Sequence, residues 1–218
     1  MGTDEPRRPL GPGDAAPDFT LPAADGDGTV SLAQHRARGP VLLAVLRGLY
    51  CAFCRRQLAL VGVTATALGN LGVQTLAVVA SPPDRTRLYF RHRPPGCAVG
   101  ADPDLTVHQA YGIPRGPVTP ELREVVESNY AQLARQMGFD LPAGSARETF
   151  HKADGVDLTE SDKADRARHQ AQNVGHFLLD RTGIVRWSDI ECARDGNAGL
   201  YRFPTADQIM AAVRALTR

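Results

Sequence analysis

Leu42-Leu43-Ala44-Val45-Leu46-Arg47-Gly48-Leu49-Tyr50-Cys51-Ala52-Phe53-Cys54-Arg55-Arg56-Gln57-Leu58 is the stretch that decides the fold. The apolar run up to Leu46 reads as a strand buried on both faces. A short turn leads into a C-x-x-C pair, and apolar residues at Leu58, Val61, Ala65 and Leu68 then recur at helical spacing. That order places Cys51 at or just before a helix N-terminus, where unpaired N–H groups and the helix dipole favour negative charge. The thiolate is the nucleophilic form of cysteine, so this position activates Cys51. Cys54 lies one helical turn further on, within reach of the first sulfur. The pattern predicts thiol redox chemistry.

Working outward, the 218 residues are 43% hydrophobic. That is enough for one core, expected as a single domain over 14–218 with an insertion at about 113–172. The formal net charge is +1 with both signs spread along the chain, which argues against a nucleic-acid or polybasic membrane surface. No apolar run reaches the ~18 residues of a membrane span. Residues 1–13 are rich in proline, glycine and charge and hold no apolar segment. They read as a flexible lead-in rather than a signal peptide, so a cytoplasmic location is expected. In a reducing compartment a close cysteine pair is more often catalytic or metal-binding than a structural cross-link.

Asp18-Phe19-Thr20-Leu21 and Thr29-Val30-Ser31-Leu32 flank the turn signal Asp25-Gly26-Asp27-Gly28 and are expected to pair as a hairpin. Further strands are expected at 41–46, 73–80 and 97–100, with helices at 54–68, 84–91 and 105–111. Such βαβα alternation argues for an α/β sheet with helices on its faces. Residues 112–120 then form a proline- and glycine-rich linker. A helix starts at Thr119-Pro120-Glu121, carries Leu122, Val125, Val126, Tyr130, Leu133 and Met137 on one stripe, and stops at Gly138. Residues 142–172 are polar and read as an exposed excursion with a short helix near 162–170. The core resumes at His176-Phe177-Leu178-Leu179-Asp180, turns at Arg181-Thr182-Gly183 and returns through Ile184-Val185-Arg186-Trp187. Thr205 and Gln208 form a capping box for a closing helix striped with Ile209, Met210, Val213 and Leu216.

The order strand, C-x-x-C, helix, strand, late hairpin and closing helix resembles the thioredoxin fold. Four stretches are similar to the peroxiredoxin-like branch of the alkyl-hydroperoxide-reductase/thiol-specific-antioxidant (AhpC/TSA) superfamily. They are Ala16-Pro17-Asp18-Phe19-Thr20-Leu21; Arg47-Gly48 leading to Cys51-Ala52-Phe53-Cys54-Arg55; Asp102-Pro103-Asp104 before Ala110-Tyr111-Gly112; and the late hairpin from Phe177 to Trp187. Pro120-Glu121-Leu122-Arg123 and Gly138-Phe139-Asp140-Leu141-Pro142 are similar to a helical insertion in some members, so the resemblance covers nearly everything after Gly11. It implies a thioredoxin-like α/β fold with a central mixed sheet flanked by helices and an insertion before the last hairpin. It also implies peroxide reduction or thiol–disulfide exchange with Cys51 as nucleophile, a thiol reductant such as a thioredoxin-type protein, and a homodimer. The chain departs from the family at three positions. Typical peroxiredoxins carry a proline seven residues before the peroxidatic cysteine, a threonine three before it, and a distant arginine. The threonine and arginine polarise the peroxide bond. Ala44, Gly48 and Val174 stand there in this chain. Gly175 stands about where thioredoxins place a cis-proline opposite the sulfurs.

Arg47 is the nearest candidate to supply the missing positive charge, the alternative being a surface arginine with no partner. Cys54 is expected as the resolving thiol, attacking a sulfenic acid or mixed disulfide at Cys51, against the alternative of a packing cysteine. His176 begins the strand that thioredoxin folds place beside the active sulfur and is a candidate acid or base; more often such a histidine only hydrogen-bonds backbone. Tyr50 and Phe53 flank the sulfurs and, with Gly175, are the expected substrate-binding wall; packing is their alternative. At least one of Arg55 and Arg56 is expected to be solvated, and Trp187 to pack in the core. Zinc is the main chemical rival, but C-x-x-C supplies only two of four ligands and Cys97 and Cys192 are isolated. No metal or other cofactor is therefore expected.

The leading expectation is a thiol-dependent oxidoreductase acting on a peroxide or disulfide. A biosynthetic tailoring enzyme on the same scaffold, acting on a small organic substrate, is motivated by the missing peroxide-binding positions and the long insertion. A non-enzymatic redox-sensing or binding module is the third reading.

Overall fold

The computed structural model describes residues 8–24, 26–141 and 144–216. Strands β1 (Thr20–Pro22) and β2 (Thr29–Ser31) pair antiparallel, as the turn signal predicts, and the short helix α1 (Leu32–Arg36) follows at once. Asp25 of that turn lies outside the described residues. Next come β3 (Val41–Leu46), α2 (Ala52–Asn70), β4 (Gln74–Val79), α3 (Pro83–Phe90), β5 (Ala98–Ala101) and α4 (Thr106–Ala110). The insertion supplies α5 (Pro120–Gln136), α6 (Ala146–Ala153) and α7 (Glu160–His169). Strands β6 (Gly175–Leu179) and β7 (Val185–Ile190), a 3-10 turn at Gly196–Gly199 and α8 (Ala206–Leu216) complete the chain.

The main sheet has the order β5-β4-β3-β6-β7. β3, β4 and β5 are parallel, joined by helical crossovers, while β6 and β7 run antiparallel to their neighbours. Every residue of β3 is buried because layers cover both faces of the sheet. Alternate side chains feed the two layers. Leu42, Ala44 and Leu46 pack with Leu58, Val61 and Leu68 of α2 and Ile209 and Val213 of α8. Val41, Leu43 and Val45 pack with Leu32, Val107, Tyr111 and Phe177 on the opposite face. Cys51 and Cys54 belong to the α2 layer. They sit where β3 ends, at the carboxyl edge of the parallel strands where open α/β sheets place their ligands.

Two expectations change. Of residues 142–172, those described are not an exposed excursion. Phe150 is fully buried in a small core with Val126, Tyr130, Ala134 and Ala146, and this core rests on Ala52 and Leu200. The few large apolar residues of the segment suffice because they share one patch over the first turn of α2. The insertion is thus a roof over the thiols. Its α7 is capped by Thr159 and Asp162, and the buried Asp162 also pairs with Arg85 of α3 at 2.8 Å. Of residues 1–13, those described are tied down: the N–H of Leu10 donates to the Tyr111 carbonyl at 3.1 Å and that of Gly13 to Val185 at 2.8 Å. Among the described residues no helix is long and apolar enough to cross a membrane.

Candidate active site: a buried thiol pair around one arginine

Cys51 is the N-cap of α2, and its Sγ accepts the backbone N–H of Cys54 at 3.3 Å. Both cysteines are free thiols, 2% and 3% exposed. Arg47, the first residue past β3, turns inward instead of outward and is likewise 2% exposed. Its Nη1 lies 3.7 Å from Cys51 Sγ and 3.9 Å from Cys54 Sγ. Its Nε donates to the Gln172 carbonyl and its Nη2 to a carboxylate oxygen of Glu191. Burial works against the guanidinium charge, but Glu191 and the two sulfurs hold it protonated.

Glu191 is itself anchored. Oε2 also accepts the N–H of Val174 at 3.0 Å, and Oε1 accepts the N–H of Tyr201 at 2.7 Å. Tyr201 has φ 64°, the left-handed region that is costly for a non-glycine residue. That conformation points its N–H at Glu191 while its ring lies 5.0 Å from the Arg47 guanidinium and stacks on Phe53, centroids 4.0 Å apart. The Tyr130 hydroxyl, from α5, accepts the N–H of Ala52 at 3.3 Å, and its ring meets Phe53 edge-on. Phe53, Tyr130 and Tyr201 thereby close the site.

The two thiols are driven in opposite directions. Burial raises Cys51, but the thiol and N–H of Cys54 and the Arg47 charge outweigh it and bring Cys51 down from an ordinary value of 9.0 to about 6. Burial raises Cys54 as well, and there the adjacent Cys51 adds to it, so Cys54 stays a thiol well above its ordinary range. Of the two, Cys51 is the more acidic thiol and Cys54 the less acidic one.

Of the other expected site residues, Tyr50 and Phe53 lie beside the sulfurs, while His176 and Gly175 fall elsewhere. Tyr50 is buried and its hydroxyl donates to the His169 carbonyl at 2.8 Å, which ties the turn to α7 of the roof. Phe53 lines a cleft of about 350 Å³ with Arg56, Gln57, Leu60, Tyr201, Phe203 and Pro204. His176 does not join the sulfurs: its Nε2 accepts from the Gln57 amide at 3.1 Å, and burial lowers its pKa to about 3. Because the same amide nitrogen also donates to the Pro204 carbonyl at 3.1 Å, the imidazole is a neutral acceptor rather than an acid. Gly175 faces away too: a Cβ there would meet Ile113 and Phe177 at 2.8 Å, on the sheet face opposite the thiols. Arg55 is buried on Asp154 and the Leu49 carbonyl, and Arg56 is the more solvated of the pair. Among the described residues no group of three or more His, Cys, Asp or Glu is placed to hold a metal.

The departures from typical peroxiredoxins have local causes. A Cβ at Gly48 would stand 2.6 Å from the Ala80 carbonyl and 2.8 Å from Ser81 Oγ, so threonine has no room there. Val174 is buried and contributes its N–H, not a side-chain charge, to the Glu191 network.

Residues 12–188 match the AhpC/TSA family. The chain belongs to the AhpC/TSA family. Its fold is the thioredoxin-like fold of peroxiredoxin structures. Peroxidoxin BcpB from Mycobacterium tuberculosis superposes with a TM-score of 0.59 at 15% identity, covering 95% of this chain and 98% of that one. Mycobacterium tuberculosis AhpC gives 0.57 at 13%, covering 95% and 93%. Reduced Plasmodium vivax 2-Cys peroxiredoxin gives 0.57 at 16%, covering 95% and 82%. No curated protein matches the sequence. Family membership and the paired thiols together support thiol-dependent redox activity.

Proposed function

We propose that this protein is a two-cysteine thiol oxidoreductase that reduces a small peroxide, or secondarily a low-molecular-weight disulfide. The observation that carries this reading is the opposite perturbation of two neighbouring buried thiols, with Arg47 against both sulfurs. The Cys51 thiolate attacks one peroxide oxygen. The O–O bond breaks, the leaving oxygen takes a proton and departs as water or alcohol, and Cys51 becomes a sulfenic acid. Cys54 loses its proton and attacks the Cys51 sulfur, expelling hydroxide as water and leaving a Cys51–Cys54 disulfide. An external dithiol attacks through a mixed disulfide, leaves as its own disulfide and returns both cysteines to thiols. The near-complete burial of both sulfurs favours a small acceptor over the disulfide of a folded protein. Both sulfurs are buried, so a thioredoxin-type reductant reaches the oxidised pair only after the site opens. The 350 Å³ cleft is lined by Phe53 and Tyr201 but by neither Cys51 nor Cys54, so a bulky organic substrate seated there gains no direct contact with the sulfurs. A homodimer, expected from the family resemblance, is a separate proposal for sedimentation to check.

Peroxide consumption with dithiothreitol as reductant tests the reading. Wild type should turn over repeatedly, and Cys51→Ser should not. Turnover that survives Cys51→Ser would refute it. A single stoichiometric burst without steady state would favour the sensing module instead.

A further inference from the structure

We propose that Glu191 is a positioning residue that fixes the Arg47 guanidinium between the two sulfurs, so that this one cation serves the Cys51 thiolate first and the Cys54 thiolate second. The proposal deepens the two-cysteine reading and rests on it for the order of events.

The geometry is specific. Arg47 Nη1 is nearly equidistant from the sulfurs, at 3.7 and 3.9 Å. A flexible arginine pays side-chain entropy to hold such a place, and a fork with its other nitrogens fixed loses less on forming each contact. Glu191 and the Gln172 carbonyl fix those other nitrogens. Glu191 has no freedom to follow a moving arginine, because the N–H groups of Val174 and Tyr201 hold both carboxylate oxygens. The Gln172 backbone is steadied in turn by its own side chain, which donates to the Ile113 and Pro114 carbonyls at 3.1 Å each.

A cation held midway favours whichever sulfur is anionic. In the reduced protein that is Cys51, and its charge and hydrogen bond help keep the proton on Cys54. When Cys51 becomes a neutral sulfenic acid, both of those influences disappear. Arg47 then faces a single ionisable sulfur, and the Cys54 thiolate needed for resolution forms against it. The Arg47 guanidinium keeps one position through both steps. Among the described residues, the charged and titratable groups facing the sulfurs are Arg47 and Glu191, with the Tyr50, Tyr130 and Tyr201 phenols held neutral by burial.

Two titrations of the reduced, intact protein by thiolate ultraviolet absorbance test this without requiring turnover. In Glu191→Gln, one amide cannot accept from Arg47, Val174 and Tyr201 together, so Arg47 loses its aim and the Cys51 midpoint should rise by about one pH unit or more, a tenfold loss of thiolate. Glu191 acting only as a nearby negative charge would give the opposite sign, a midpoint that falls, and that result would overturn the proposal. In Cys51→Ser, whose hydroxyl imitates the uncharged sulfenic state, the Cys54 midpoint should drop below its wild-type position. Adding Arg47→Met to that variant should send it back up. A Cys54 midpoint indifferent to both changes would overturn the sequential use of one cation, and this arm stands even if Glu191→Gln does not fold. Correct midpoints with no turnover would count against the proposed function and leave the positioning role intact.

Discussion

Arg47→Met keeps an apolar stem of similar length but removes the guanidinium lying 3.7 Å from Cys51 Sγ and 3.9 Å from Cys54 Sγ. Burial and the Glu191 charge, both of which raise Cys51, are then opposed only by the hydrogen bonds from Cys54. The Cys51 midpoint should rise from about 6 toward its ordinary value of 9.0, which sets the limit of the effect. At pH 7 the thiolate fraction would fall from about 0.9 to about 0.01. The remaining thiolate is more basic and intrinsically more nucleophilic. With a Brønsted slope of about 0.4–0.5, that difference returns roughly 20-fold in rate. The net loss in attack on a small alkylating agent at pH 7 is therefore only about fivefold, and above pH ~8 the variant should overtake wild type. Thiolate absorbance gives the midpoint, and stopped-flow alkylation with iodoacetamide gives the crossover. A midpoint that stays near 6, or a rate reduced equally at every pH, would refute the reasoning. The same change leaves Glu191 buried without its cation, so unfolding free energy should drop by about 3–5 kcal/mol. Adding Glu191→Gln to Arg47→Met should recover part of that loss in a denaturant titration.

Gly48→Thr would restore the family's usual threonine but drive a Cβ to within 2.6 Å of the Ala80 carbonyl. It should destabilise the protein by about 1–3 kcal/mol and lower turnover, read by thermal unfolding and peroxide consumption. The folded protein gives up the Cys51 proton at about 6 whereas the unfolded chain keeps it to 9.0, so unfolding takes up a proton inside that window. Stability of the reduced protein should therefore rise from pH 6 to pH 9, by about 4 kcal/mol at most, and Cys51→Ser should flatten the rise in denaturant titrations at stepped pH. Tyr201→Ala removes the ring stacked on Phe53 and should speed alkylation of Cys51 at a pH where its thiolate is already complete. An unchanged rate there would show that Phe53 and Tyr130 close the site without it.

The parts of this molecule legible in its sequence are those set by local pattern. The β3 run from Val41 to Leu46 could be read because six consecutive apolar residues need a strand covered on both faces. The start of α5 could be read because Thr119 and Pro120 supply a cap and a fixed φ, and the structure has Thr119 Oγ1 accepting the Leu122 N–H at 3.2 Å. The placement of Cys51 at a helix start followed in the same way. The roof was illegible because its core is sparse: Phe150 and Ala146 carry no periodic stripe of their own and are buried only by meeting Tyr130 across the α5–α6 turn. Glu191 and Tyr201 were missed for a related reason. Nothing local marks a glutamate after an alternating strand as the partner of an arginine 144 positions earlier. The one available hint was thermodynamic, since an arginine placed between a buried strand and a buried turn must find an anion. His176 shows the converse, a residue of suggestive chemistry whose neighbours, Gln57 and Pro204, leave it nothing to do at the sulfurs.

Site-resolved mass spectrometry of the cysteines after a brief, substoichiometric peroxide pulse bears most directly on the thiol mechanism. Wild type should lose two hydrogens as a Cys51–Cys54 disulfide. Cys54→Ser should hold a sulfenic acid on Cys51 that a dimedone probe captures, with Cys97 and Cys192 unmodified in both. Oxidation that appears on Cys97 or Cys192 while Cys51 stays reduced would contradict the account.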